Sequence, residues 1–146
     1  MQYSSNGLHL TEQFEGCQCL AYKDQGGVLT IGYGHTGPDV LPGMFISHEQ
    51  AEAFLMQDIQ HAADTVNRLV KVPLTQSEFD ALTDFVFNCG SGNFLKSTLL
   101  GLLNRGDFAG AALEFDKWDK CNGQVVAGLL RRRQAETAEF RNGATA

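Results

Sequence analysis

Apolar residues recur along this chain with two different periods. Leu10 and Phe14, four residues apart, predict a short helix over about 6–14. From Ala21 to Gly34 the residues turn β-branched, aromatic and glycine-rich, which predicts two short strands around the Gly26-Gly27 turn. Pro38, Pro42 and Gly43 then punctuate a loop. Beyond it the period is helical. Ser47 with Gln50 forms a capping box, and Ala51, Phe54, Leu55, Ile59, Ala62, Val66 and Leu69 make one apolar stripe, predicting a helix of about six turns over roughly 48–70. Pro73 closes that segment. Thr75 and Glu78 make a second capping box before Phe79, Leu82 and Val86, and the run from Asn88 to Gly92 breaks the helix. A helix over about 94–104 stops at Gly106, Asp107 caps another through Phe108, Ala111, Ala112 and Phe115, Asn122-Gly123 is a further break, and a last helix covers roughly 126–140.

This order predicts an α+β chain with a small antiparallel sheet near its N-terminus and a cleft where sheet and helices meet. At 146 residues, with 43% hydrophobic and 19% charged residues, the chain suits one domain with a sizeable core. Residues 1–15 lack a basic start followed by an apolar block, so no signal peptide or signal anchor is visible. The net charge of −6 has the wrong sign for nucleic-acid binding. Arg131, Arg132 and Arg133, with Glu136 and Glu139 at helical spacing, are expected on a solvated, internally paired helix face. Cys17, Cys19, Cys89 and Cys121 lack the C-x-x-C spacing of a zinc site, so reduced thiols are expected and no metal or cofactor.

Two motifs fail on their context. Gly32-Tyr33-Gly34-His35-Thr36-Gly37 fits a dinucleotide-binding pattern, but Pro38 and Pro42 forbid the helix that must follow. His48-Glu49 begins a zinc-protease motif whose second histidine is replaced by Glu52. A different set survives: Glu15 after Phe14 at the end of the first helix, Asp24 in a polar turn, and Thr30 on the returning strand. Desolvation beside Phe14 favours a protonated carboxyl at Glu15, while the polar turn keeps Asp24 ionised. Two carboxyls in contrasting settings suit glycosidic cleavage, and a hydroxyl such as that of Thr30 holds water.

The segments Phe14-Glu15-Gly16, Ala21-Tyr22-Lys23-Asp24, Gly27 and Leu29-Thr30-Ile31-Gly32-Tyr33-Gly34-His35-Thr36 strongly resemble the N-terminal motif of phage-type lysozymes, glycoside hydrolase family 24. The spacing of nine residues from Glu15 to Asp24 and six to Thr30 is that of the family's catalytic triad. The likeness continues through Pro42-Gly43, Gln57-Asp58, Phe85-Val86-Phe87-Asn88-Cys89-Gly90, Ser97-Thr98-Leu99-Leu100, Asn104, Gly106-Asp107, Trp118 and Gly128-Leu129. It implies one lysozyme-like catalytic domain with a sheet lobe over about 16–46, a connecting helix over about 48–70, and a helical lobe over about 75–140 joined by the helix over 6–14. It also implies a peptidoglycan muramidase in which Glu15 is the general acid, Asp24 a stabilising carboxylate and Thr30 the holder of the attacking water. Inversion would follow, with carboxyls roughly 6.5–9.5 Å apart. Gly34, Phe87 and Asn88 would line the sugar cleft, His35 and Asp58 would form a structural ion pair, and one of Arg131 to Arg133 would reach Glu15.

By the same resemblance the partners are peptidoglycan glycan strands and a holin-type pore that gives access to the wall. The expected location is the host cytoplasm until release, then the periplasm and wall, and the expected state is a monomer. An acidic chain is unusual among wall-lytic enzymes and weakens steering towards an anionic wall. A bacterial toxin or remodelling hydrolase of the same chemistry, and a glycan-binding module without catalysis, are the competing readings.

Overall fold

The computed structural model describes residues 1–144. Its helices are α1 (Ser5–Phe14), α2 (His48–Leu69), α3 (Gln76–Cys89), α4 (Ser91–Lys96), α5 (Thr98–Asn104), α6 (Phe108–Ala112) and α7 (Ala127–Ala144), with a 3-10 turn at Phe115–Lys117. The strands are β1 (Gln18–Lys23), β2 (Leu29–Gly32), β3 (His35–Thr36), β4 (Lys120–Cys121) and β5 (Gln124–Val125). This is an α+β fold with its three-stranded antiparallel sheet near the N-terminus.

Both capping boxes form. The Ser47 hydroxyl accepts the Gln50 N–H at 3.1 Å while the Gln50 side chain accepts the Ser47 N–H at 2.9 Å, and Thr75 with Glu78 repeats the arrangement. These reciprocal bonds satisfy amides that have no intrahelical partner and fix where α2 and α3 begin. A third cap divides the helix predicted over 94–104. Ser97 has extended backbone, at φ −73° and ψ 147°, and its hydroxyl accepts the Leu100 N–H, so α4 ends and α5 starts there. The helix predicted from Asp107 through Phe115 stops at Ala112 and resumes only as the 3-10 turn. Asn122-Gly123 is more than a break: φ values of 52° and 79° at these two residues close the β4–β5 hairpin, as a two-residue turn requires.

Apolar side chains divide into two clusters. The larger gathers around α3, whose residues from Glu78 to Val86 are all buried, with Phe85 edge-on to Phe94, Phe115 and Trp118. The smaller consists of Ile31, Val40, Ile46 and Ala51 beneath the sheet. β2 lies in the middle of that sheet, pairing Thr30 with Tyr22 on β1 and with Thr36 on β3. The short third strand was absent from the two-strand expectation. Gly32 leaves β2 at φ +65° against Ala51 of α2, and a Cβ there would lie 3.3 Å from the Ala51 Cβ. On its other edge β1 takes residues 44–46 as a partner. The Ala21 N–H donates to the Met44 carbonyl and the Ile46 N–H to the Cys19 carbonyl, each at 2.9 Å, and Leu20 bridges Phe45.

Candidate active site

Glu15 is the C-cap of α1, its N–H still bonded to the Thr11 carbonyl at 3.0 Å. This cap turns the chain into extended backbone and aims the side chain at a cleft of about 490 Å³ lined by Glu15, Gly16, Gln18, Tyr22 and Gly34. Arg132 Nη1 donates to Glu15 Oε1 at 2.9 Å, and the guanidinium lies over the Phe14 ring at 5.8 Å. The setting of Glu15 therefore differs from the apolar wall expected beside Phe14, because the ring's face is occupied by the cation that holds the carboxyl.

Asp24 lies just beyond β1 in the hairpin turn. Its Oδ1 accepts the N–H groups of Gly26 and Val28 at 2.8 and 2.9 Å, fixing the carboxylate by two backbone amides. The Val28 carbonyl in turn accepts the Asp24 N–H and the Thr30 hydroxyl, both at 3.0 Å. One residue of the turn thus links Asp24 and Thr30. Thr30 is buried and stands directly across from Tyr22, which shares its side of the sheet and reaches the Glu15 cleft.

Arg131 to Arg133 do not share a solvated face. Arg132 and Arg133 are 4% and 0% exposed, and Glu136 is 0% exposed. Arg132 Nε and Nη2 grip the two oxygens of Asp84 on α3 at 3.0 and 2.9 Å, while Thr11 donates to Asp84 at 2.8 Å and joins Tyr3 at 2.6 Å. Burial works against the Asp84 carboxylate, but bonds from Glu136, Arg132 and Thr11 outweigh it and hold its pKa below the usual range. Burial and the neighbouring Asp84 push Glu136 well above its usual pKa. Arg133 pairs with Glu136 at 3.1 Å and donates to Asn88 at the end of α3. Burying opposite charges is costly unless each is paired and hydrogen-bonded. Here the pairing leads from the core through Arg132 to Glu15.

Asn88 is exposed and lines a second hollow of about 270 Å³ with Cys89, Trp118 and Leu129 among others, while Phe87 is half-buried against the helical core. Gly34, at φ +88°, belongs to the Glu15 cleft. His35 Nδ1 lies 2.8 Å from Asp58 Oδ2, and its ring stacks on Phe54 at 4.1 Å. Its Nε2 meets Asp39 at 2.9 Å, a second acid that sequence reasoning missed. Burial alone would lower the His35 pKa, but its bonds to Asp39 and Asp58 outweigh that and the net shift is upward. Asp84, also missed, did carry a signal: it is an acid set beside the apolar Leu82, Phe85 and Val86.

Residues 12–136 match the family described as phage lysozyme. The endolysin of an Acyrthosiphon pisum secondary endosymbiont phage is 46% identical over 144 residues, 96% of this chain and 98% of the relative. The endolysin of Bacillus phage B103 is 47% identical over 145 residues, 98% of this chain but 55% of the relative, so the chain spans about half the length of that protein. A P22 lysozyme variant superposes with a TM-score of 0.90 at 40% identity, covering 97% of this chain and 99% of the other.

Proposed function

Because the chain belongs to the phage lysozyme family, we propose that it hydrolyses the β-1,4 bond between N-acetylmuramic acid and N-acetylglucosamine in bacterial peptidoglycan, acting as a single catalytic domain. The observation that carries this reading is the seating of Glu15 in the cleft with one oxygen held by Arg132. With Oε1 fixed, Oε2 is the oxygen that donates a proton to the departing sugar oxygen. Asp24, held by two amides, supports the positive charge that develops on the ring. The Thr30 hydroxyl spends its hydrogen on the Val28 carbonyl, so its lone pairs are left to accept from a water. That water attacks the anomeric carbon from the face opposite the leaving oxygen and gives its proton to Asp24, which inverts the configuration. Gly34 lines the cleft beside the reacting sugar, and Phe87 and Asn88 carry the neighbouring sugars. The His35 and Asp58 pair holds the sheet to α2 without touching substrate.

In this reading the enzyme acts as a monomer at the end of a phage cycle. It collects in the host cytoplasm and reaches the periplasm and wall when a holin-type pore opens the inner membrane. No helix of the described residues is long and apolar enough to cross a membrane.

Clearing of outer-membrane-permeabilised Gram-negative cells tests the assignment. Glu15→Gln lowers the rate by about 10²–10⁴-fold with an unchanged circular dichroism spectrum. Equal clearing by both proteins would discard Glu15 as the acid. NMR of the nascent reducing end reads the stereochemistry, and a β-anomer as first product would overturn the role given to Thr30.

A further inference from the structure

The pairing of β1 with residues 44–46 has a consequence at its far end. The ladder matches Ala21 with Met44, Leu20 with Phe45 and Cys19 with Ile46. Continued by two residues, the same register sets Cys17 opposite His48, the first residue of α2. Cys17 lies one residue before β1 and Cys19 is its second residue. The outcome is a cluster of Cys17 Sγ, Cys19 Sγ and a His48 ring nitrogen, all within 4.8 Å of one another. Cys17 Sγ lies 3.7 Å from His48 Nδ1.

We propose that Cys17, Cys19 and His48 form a binding site for a thiophilic divalent ion of the zinc class, with water as its fourth ligand. Zinc bonds of about 2.3 Å to sulfur and 2.0–2.1 Å to nitrogen, at a tetrahedral angle, require a sulfur-to-nitrogen separation of about 3.6 Å. The 3.7 Å between Cys17 Sγ and His48 Nδ1 matches that separation, and Cys19 Sγ lies within 4.8 Å of both. Two thiolates and an imidazole favour zinc or cobalt over magnesium or calcium, which prefer oxygen. The absent C-x-x-C spacing does not count against this, because sheet register rather than sequence proximity supplies the third ligand. On binding, one ion forms two metal–sulfur bonds and one metal–nitrogen bond while the two thiols release two protons. The ion would tie Cys17, two residues past Glu15 and just before β1, to the first turn of α2.

Cobalt(II) titration of the reduced full-length chain is the test. The expected result is a 1:1 thiolate-to-cobalt charge-transfer band with tetrahedral visible bands, bleached by zinc, and a melting temperature that rises with free zinc. Cys17→Ser and His48→Ala each weaken binding by at least about tenfold, whereas Cys121→Ser leaves it unchanged. Proton release by the unsubstituted protein gives a reading that needs no variant to fold. A reduced protein that yields no charge-transfer band and no protons overturns the site, as does a band that survives both Cys17→Ser and His48→Ala.

Discussion

The sheet and the bundle around α3 are held by different means. Beneath the sheet only Ile31, Val40, Ile46 and Ala51 form an apolar cluster, and much of the shape there is set by backbone pairing, left-handed glycines at 27, 32, 34, 37 and 43, and the clasp of His35 between two acids. Around α3 the side chains of Phe79, Leu82, Phe85, Phe94, Phe115 and Phe140 are fully buried, and they enclose a charged network rather than excluding it. In our reading Asp24, Thr30 and Gly34 come from the first region, while Phe87, Asn88 and the cation that aims Glu15 come from the second. A large core thus supplies the rigidity with which a small sheet presents its chemistry.

Arg132 is where the comparison is most easily broken. Arg132→Leu leaves Asp84 buried without its counterion, and chemical denaturation should show a loss of about 3–5 kcal/mol together with loss of lysis. Adding Asp84→Leu should restore much of the stability without restoring activity, since nothing then holds Glu15. Recovery of both would mean that the network serves only the core.

Next in size is a glycine replacement on the sheet side. Gly32→Ala places a side chain at φ +65° and 3.3 Å from Ala51, so it should cost about 1–2 kcal/mol in the same assay. A neutral outcome would show that the sheet yields more easily than its close approach to α2 suggests.

The histidine clasp gives a pH-dependent contrast. His35 has a raised pKa when folded, so its contribution is fully present below its unfolded value of about 6.5 and is lost as pH rises through the folded one. Its hydrogen bond to His35 lowers the Asp39 pKa, so that share fades as pH falls through the folded Asp39 value. His35→Asn should therefore lower the melting temperature by roughly 2–4 °C in mildly acidic buffer and by less in alkaline buffer. An equal drop at both would remove the charge from the explanation.

The smallest effect has the opposite sign. Gly101 sits on an exposed face of α5, and a Cβ added there would meet nothing within 4 Å, so Gly101→Ala should raise stability by about 0.4–1 kcal/mol. The same substitution that harms the sheet should help the bundle.

Local rules carried much of this structure in the sequence. Ser47 with Gln50 and Thr75 with Glu78 announced α2 and α3, because a capping box is complete within four residues. The stripe from Ala51 to Leu69 gave α2 its length. Ser97 hid among Thr98, Leu99 and Leu100, since one hydroxyl decides between a continuous helix and two short ones. Glu15 was legible from its place at the end of α1 and Asp24 as a turn former, while Gly34 entered as a cleft residue only through the likeness to phage-type lysozymes. The burial of Arg132, Arg133 and Glu136 was not, because helical spacing shows which charges share a turn but not which acid faces them from another helix. Asp84 lies 48 residues from Arg132, and only packing of α3 on α7 brings them together. Cys17 and His48, 31 residues apart, escaped notice for the same reason.

The chain contains one tryptophan, Trp118, whose ring stands edge-on to Phe85 at 5.6 Å and borders the hollow that Asn88 shares. Indole emission is therefore a single-site optical gauge of the helical side. A glycan fragment settling beside Asn88 would register there as a change in intensity or colour, while events confined to the hairpin around Asp24 would leave the signal dark.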